Sequence, residues 1–110
     1  MAGAGPSARR RQYGRRVMDL AALQDLMRRT YGEQDRARGV AATVAWLTEE
    51  LGELAQAVRK GDLDEQRHEL GDVLAWLASL AEQLGLSLDD AAARYAGGCP
   101  RCASIPCACP

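Results

Sequence analysis

Two acidic pairs of the same design stand out in this chain. Residues 50–53 read ELGE, and residues 69–72 repeat the segment as ELGD. Positions three apart lie on one face of a helix, so each copy presents two neighbouring carboxylates. Four carboxylates brought together repel one another unless a cation joins them, and a hard divalent cation prefers oxygen ligands. The candidate metal ligands are Glu50, Glu53, Glu69 and Asp72.

The two acidic pairs are symmetric about Gly61. Glu53 and Glu69 each lie eight residues from this glycine, and Glu50 and Asp72 each lie eleven residues from it. A helical hairpin that turns at Gly61 therefore brings all four carboxylates to neighbouring levels. The sequence predicts one metal site shared by the two helices of the hairpin.

Two tryptophans are also placed symmetrically about Gly61, and they indicate a binding place for an aromatic ligand. Trp46 and Trp76 each lie fifteen residues from Gly61, about one turn beyond the carboxylates and away from the turn. A triphosphate on the metal with its base on these rings fits this shape, because ring stacking contributes ~1–3 kcal/mol per base. Lys60 then lies on the phosphate side. The alternatives are core tryptophans and a lysine that faces the helix dipole.

The apolar periodicity predicts an all-α fold. Two stripes with helical spacing, residues 44 to 58 and 70 to 84, are typical of the buried face of a bundle. Gly52 and Gly71 within these helices suggest close approach of a neighbouring helix or a ligand. The expected elements are a helix at about 18–30 capped by Asp19, a polar loop at 31–39, a helical hairpin at about 40–60 and 62–84 with Gly61 at the C′ position, and a short helix from Ser87 to Tyr95.

The length of the chain is sufficient for one small domain. It has 110 residues, a net charge of −1 and no apolar run near the ~20 residues that cross a membrane. Residues 1–16 contain five arginines and no acid. We predict that residues 1–17 are a disordered basic leader, with contact to nucleic acid as the alternative. Because no secretory signal precedes the domain, we expect a cytoplasmic protein without membrane partners.

The acidic motifs resemble those of a known enzyme family. The pattern Glu49-Glu50-x-x-Glu53, followed by Glu69-x-x-Asp72, is similar to the signature of MazG-like nucleoside triphosphate pyrophosphohydrolases, an all-α superfamily. The resemblance covers about residues 19–95, which places the domain at 18–96. It implies hydrolysis of a nucleoside triphosphate between the α- and β-phosphates. It also implies Mg²⁺, with Mn²⁺ as an alternative ion, held by the acids of both motifs.

The resemblance leaves several roles open. Glu53 or Glu49 would take the proton of the attacking water. Candidate cations for the pyrophosphate are Arg28, Arg29, Arg36, Arg38, Lys60 and Arg94. His68, the only histidine, is expected to be an exposed surface residue rather than a catalytic group.

The helical domain is expected to form an oligomer, and two other functions are possible for it. A hairpin with two shorter helices is about half of a large bundle, so we expect a four-helix-bundle-type core formed in a homodimer or homotetramer. The rival functions are phosphoribosyl-ATP hydrolysis and a non-catalytic helical adaptor that dimerises through its hairpin and binds a partner through a zinc-binding C-terminal tail.

The last fourteen residues form a separate cysteine-rich tail. All four cysteines of the chain lie here, at Cys99, Cys102, Cys107 and Cys109. Two close pairs with intervening prolines are typical of a tetrahedral thiolate site for Zn²⁺. A pair of disulfides and free reduced thiols are the alternatives, and the lack of a secretion signal argues against disulfides.

Overall fold

The computed structural model describes residues 18–110 and shows an all-α protein, which confirms the predicted fold class. The helices are α1 (Leu20–Arg38), α2 (Val40–Lys60), α3 (Leu63–Leu84) and α4 (Leu88–Ala92), and a 3₁₀ turn at Ala93–Tyr95 follows α4. Residues 18–110 contain no strand. The predicted basic leader at 1–17 lies outside the described residues.

The N-termini of α1, α3 and α4 are set by local side-chain caps, and these three predictions are confirmed. The carboxylate of Asp19 accepts a hydrogen bond from the Ala22 amide at 2.7 Å and begins α1. Asp62 and Glu65 form a reciprocal capping box at the start of α3, with bonds of 2.9 and 3.1 Å. Ser87 caps α4. Each cap satisfies an amide that the helix itself leaves unpaired.

The predicted loop at residues 31–39 is wrong, because α1 continues through this polar stretch to Arg38. Contacts with α3 and an ion pair within α1 hold the extension in place. Asp35 is buried against α3, its carboxylate pairs with the Arg38 guanidinium at 2.6 Å, and its carbonyl accepts a hydrogen bond from the Gln83 amide group. α1 ends at Gly39, whose φ of 89° is unfavourable for a residue with a side chain.

The turn between α2 and α3 occurs at Gly61, as predicted, but this glycine does not adopt the left-handed conformation that is typical of a C′ residue. The backbone of Gly61 is extended, with φ −97° and ψ 178°. A Cβ atom here would lie 2.9 Å from the carbonyl oxygen of Ala57, so close backbone approach explains the glycine. The left-handed conformation appears instead at Gly85, which ends α3 with φ 69°.

α2 and α3 form an antiparallel hairpin, and α1 packs mainly on α3. Most of the residues buried between these helices are small or polar. Thr43 and Ala78 are fully buried, and the other well-buried positions are Gln24, Met27, Asp35, Ala57, Ser79 and Ala81. The short side chains of Thr43, Ala57, Ala78, Ser79 and Ala81 let the helix backbones approach closely.

The predicted burial of the leucine stripes is wrong for the single chain. On α2, Val44 and Val58 follow the buried Thr43 and Ala57 by one residue, or ~100°. On α3, Leu70 and Leu77 follow by one residue Glu69 and Trp76, which face α2. Because α2 and α3 are antiparallel, this rotation turns both stripes to the same side of the hairpin. We call this surface the leucine face; its exposed members are Val44, Leu51, Val58, Leu70, Leu74, Leu77 and Leu84.

The tail after Tyr95 consists of turns, and no residue from 97 to 110 is buried. The domain boundaries at 17/18 and 96/97 stay predictions. None of the helices described in residues 18–110 combines the length and apolar character needed to cross a membrane. The cytoplasmic location also stays a prediction.

Candidate active site

Three of the four predicted acidic ligands meet in one group. Glu50 and Glu53 lie one turn apart on α2, and Glu69 faces them from α3. Each offers a carboxylate oxygen within 4.8 Å of the others. We call Glu50, Glu53 and Glu69 the carboxylate group. Its oxygen-only donor set is the kind that Mg²⁺ and Mn²⁺ prefer.

The electrostatics of the carboxylate group favour a bound cation. The neighbouring Glu50 carboxylate raises the pKa of Glu53 above its usual value of 4.5, and partial desolvation and Glu69 raise it further. One carboxylate oxygen of Glu69, Oε1, is buried without a hydrogen-bond partner among the described residues. A buried, unpaired carboxylate oxygen is costly unless a cation or a donor satisfies it. The residues present therefore fit a divalent metal ion.

The fourth predicted ligand, Asp72, lies beside this group rather than within it. It forms a second potential ligand set with His68 and Glu69, again within 4.8 Å. The His68 Nε2 atom lies 3.4 Å from Asp72 Oδ2, on the exposed side of α3. Glu69 is common to both sets and links Asp72 to the carboxylate group. Glu49 is exposed and belongs to neither set.

The two tryptophans face one another across the hairpin, at the level that the sequence symmetry predicted. Their rings stack with centroids 6.0 Å apart and planes 12° from parallel. The indole N–H of Trp76 donates a hydrogen bond to Glu50 Oε2 at 3.0 Å. The aromatic pair is thus directly connected to the carboxylate group.

A cavity of about 280 Å³ lies between α1 and α3, beside Trp76 and Asp72. α1 contributes Tyr31 and Arg38 to its wall, and the Arg38 guanidinium lies 4.8 Å from the centre of the Trp76 ring. The loop predicted at residues 31–39 excluded this wall. The signal was present in the helical spacing of positions 27, 31, 34 and 38, which all line the cavity.

Lys60 lies at the opposite end of the carboxylate group, near the turn. It lines a second cavity, of about 370 Å³, together with Glu53, Glu65 and Glu69. Lys60 and Arg38 thus lie on two sides of the acidic residues. Other candidate cations are engaged elsewhere.

Arg28 and Arg29 both pair with Asp25 on the exposed surface of α1, and Arg94 lies 5.5 Å from the Tyr95 ring centre after α4. Arg36 lines a third cavity on α1, with Gly32 and Glu33. These four arginines are not among the residues that line the cavities beside the carboxylate group.

An acidic helical hairpin occurs in more than one class of helical protein, and comparison with known families identifies the class. Residues 38–97, more than half of the chain, match the model of the MazG nucleotide pyrophosphohydrolase domain. This chain belongs to the MazG family. The matched segment of the MazG domain includes Arg38, both tryptophans and every predicted acidic ligand, and it ends before the first cysteine.

Two mycobacterial proteins are similar to this MazG domain over most of its length. One is named nucleoside triphosphate pyrophosphohydrolase, from Mycolicibacterium smegmatis, and is 40% identical over 87 residues. The other carries the same name, comes from Mycobacterium tuberculosis, and is 37% identical over 87 residues. Each alignment covers 74% of this chain and 26% of the relative. The chain therefore spans about a quarter of the length of these relatives.

Proposed function

We propose that this MazG domain hydrolyses nucleoside triphosphates between the α- and β-phosphates, releasing a nucleoside monophosphate and pyrophosphate. The observation that carries the proposal is the convergence of Glu50, Glu53 and Glu69 within 4.8 Å beside a stacked tryptophan pair. Membership in the MazG family and the names of the two relatives support the reaction class.

Glu50, Glu53, Glu69 and Asp72 would hold Mg²⁺ in this proposal. When bound, Mg²⁺ supplies neutralisation of the phosphate charge and Lewis-acid activation of water. Two observations support a cation here: the unpaired Glu69 oxygen and the raised pKa of Glu53. Both indicate negative charge that no positive group of the described residues neutralises. Mn²⁺ shares the same ligand preference and is the alternative ion.

The proton of the attacking water passes to a carboxylate of α2. Glu53 belongs to the carboxylate group and has a raised pKa, which brings a general base closer to neutral pH. Glu49 lies outside the group and is free to act as a base if Glu53 is fully engaged as a ligand. Glu49→Gln and Glu53→Gln distinguish the two, because loss of a ligand weakens Mg²⁺ binding whereas loss of the base alone lowers kcat.

The nucleotide would lie along the hairpin, with its base at the tryptophan end and its phosphates toward the turn. The cavity beside Trp76 supports a place for the base or sugar, and Arg38 supplies a cation there. Lys60 at the other end is suited to the departing pyrophosphate. This direction leaves the α-phosphate near the carboxylate group.

We further propose that the domain works as a homodimer or homotetramer joined through the leucine face. Val58 is 62% exposed and Leu51 is 49% exposed in the single chain, a poor arrangement for a protein that remains monomeric. Gly52 and Gly71 lie beside leucines of this face, and an added Cβ at either would meet no atom within 4 Å. Since each glycine costs ~1 kcal/mol in a helix, close approach of a second copy is their best physical use.

The test is a pyrophosphate-release assay on a panel of ribo- and deoxynucleoside triphosphates and phosphoribosyl-ATP, with and without Mg²⁺. We expect pyrophosphate and the monophosphate as the products. Glu50→Gln and Asp72→Asn should lower kcat/KM by more than about 100-fold, since even residues behind metal ligands typically contribute 10–100-fold.

Matched controls are Glu33→Gln and Asp64→Asn, which remove exposed acids from α1 and from the first turn of α3. These variants should keep full activity. Release of inorganic phosphate instead of pyrophosphate, or full activity in Glu50→Gln, would contradict the proposal. Absence of hydrolysis with every substrate, together with no effect of Mg²⁺ on thermal stability, would favour the helical adaptor.

A further inference from the structure

The cysteine-rich tail brings four sulfur atoms to one point, away from the carboxylate group. Cys99, Cys102, Cys107 and Cys109 each offer a sulfur within 4.8 Å of the other three. All four cysteines are free thiols. The MazG match ends at residue 97, so the proposed nucleotide chemistry does not account for this cluster.

Two of the six sulfur–sulfur separations match the edge of a tetrahedral metal site, and all six are within 4.8 Å. Cys99 Sγ lies 3.7 Å from Cys109 Sγ and 3.6 Å from Cys107 Sγ. A disulfide requires about 2.05 Å between sulfurs. Four thiolates at about 2.3 Å from a central zinc ion lie about 3.8 Å from one another, because this is the edge of the tetrahedron. The observed separations match the tetrahedral edge within a few tenths of an ångström.

Backbone amides hold the sulfurs in this arrangement. The Ala108 amide donates to Cys102 Sγ at 3.3 Å, and the Cys109 amide donates to Cys107 Sγ at 3.4 Å. Such bonds to sulfur orient ligands and favour the charged thiolate over the thiol. The two bonds therefore orient the Cys102 and Cys107 sulfurs toward the other two sulfurs of the cluster.

The tail has no apolar core that could fold it without a cross-link. No residue from 97 to 110 is buried, and Ile105, the largest apolar side chain there, is 83% exposed. Its backbone nevertheless turns back on itself, with the Cys99 amide donating to the Ser104 carbonyl at 3.1 Å. A segment of this size needs a disulfide or a metal to offset its loss of conformational entropy.

We propose that Cys99, Cys102, Cys107 and Cys109 bind one Zn²⁺ ion in a closed tetrathiolate site that folds residues 97–110. Four protein ligands leave no open coordination position, so the role is structural rather than catalytic. The site is independent of the proposed pyrophosphohydrolase reaction. It also differs from the carboxylate group in ligand chemistry, since soft thiolates select zinc over magnesium.

The first experiment measures metal in the full chain after purification under reducing conditions and dialysis to remove loosely bound ions. We expect one zinc ion per chain by elemental analysis, and the absorption bands of tetrahedral Co²⁺–thiolate after replacement with cobalt. Cys102→Ser and Cys109→Ser should each reduce the zinc content to background. Ala108→Ser, which changes the residue between two ligands but keeps every sulfur, should retain it.

A second readout separates zinc folding of the tail from damage to the whole protein. Arg101 lies between two ligands, so trypsin should cut after it in the chelator-treated protein and spare it in the zinc-loaded protein. The helical circular dichroism signal and pyrophosphate release should stay unchanged in Cys102→Ser. Zinc that persists in Cys102→Ser but is lost in a Glu50→Gln/Asp72→Asn variant would overturn the proposal, as would disulfides detected by mass in the freshly reduced, zinc-treated chain.

Discussion

The indole N–H of Trp76 donates a 3.0 Å hydrogen bond to the carboxylate of Glu50, and this bond joins α3 to α2 across the hairpin. Glu50 belongs to the carboxylate group, and Trp76 stacks on Trp46 and lies under the Arg38 guanidinium. One side chain therefore contacts both the proposed metal site and the proposed base site. It orients the Glu50 carboxylate in the way that residues behind metal ligands commonly do.

Trp76→Phe should weaken Mg²⁺ activation, because phenylalanine keeps an aromatic ring but removes the donor to Glu50. We expect the Mg²⁺ concentration for half-maximal pyrophosphate release to rise about ten-fold or more. Trp46→Phe is the matched control, since no hydrogen bond from its indole to the described residues is observed. An equal loss of Mg²⁺ dependence in both variants would show that ring size, not the hydrogen bond, matters.

Glu53→Gln should raise the thermal stability of the metal-free protein at neutral pH. The pKa of Glu53 is raised above 4.5, chiefly by the Glu50 carboxylate. A raised folded-state pKa means that the relief of repulsion is fully present below the unfolded pKa and is lost as pH rises through the folded pKa. Wild type should therefore lose stability from about pH 4.5 upward relative to Glu53→Gln.

Thermal melts in chelator at a series of pH values measure this difference. Adding Mg²⁺ should raise the Tm of wild type more than that of Glu53→Gln, because the ion removes the same repulsion. A Tm gap that does not change with pH or Mg²⁺ would argue against repulsion within the carboxylate group. Glu33→Gln, on the exposed face of α1, is the control for loss of a glutamate charge.

Arg38→Lys should weaken nucleotide binding without unfolding α1. Lysine still provides a cation for the buried Asp35 carboxylate, but it lacks the planar group that stacks over Trp76. We expect KM to rise about five-fold, from a stacking contribution of about 1 kcal/mol, with kcat little changed. Steady-state kinetics on the preferred triphosphate test this, with Arg36→Lys as the control; a fall in kcat alone would place Arg38 elsewhere in the reaction.

Leu51→Glu should break the proposed oligomer. Leu51 is already half exposed in the single chain, so the change costs an isolated monomer little, whereas a charge buried between two copies is strongly unfavourable. We expect self-association to weaken by at least about 100-fold, measured as a fall in molecular mass by light scattering. Ile105→Glu, at an exposed apolar residue outside the helices, should leave the mass unchanged. A monomeric wild type would rule out assembly through the leucine face.

Local chemistry in the sequence determined the helix boundaries near caps and the register of the hairpin. Asp19, Asp62 and Ser87 cap helices with their own side chains, so a short segment contains all the information needed. The spacing about Gly61 similarly decided that Trp46 would face Trp76, because equal arms of an antiparallel hairpin meet at equal levels. The Cys spacing carried the zinc prediction for the same local reason.

Only the tertiary structure decided what each face of these helices meets. The polar stretch after Thr30 is helical because Asp35 is buried against α3 and its carbonyl accepts a hydrogen bond from Gln83, a residue 48 positions away that local composition does not reveal. Similarly, apolar periodicity located the leucine face but not its exposure, since burial depends on which neighbouring helix covers a stripe. In this protein small residues face the neighbouring helices, and acidic and aromatic residues line the proposed site. The leucines of the leucine face remain exposed in the single chain.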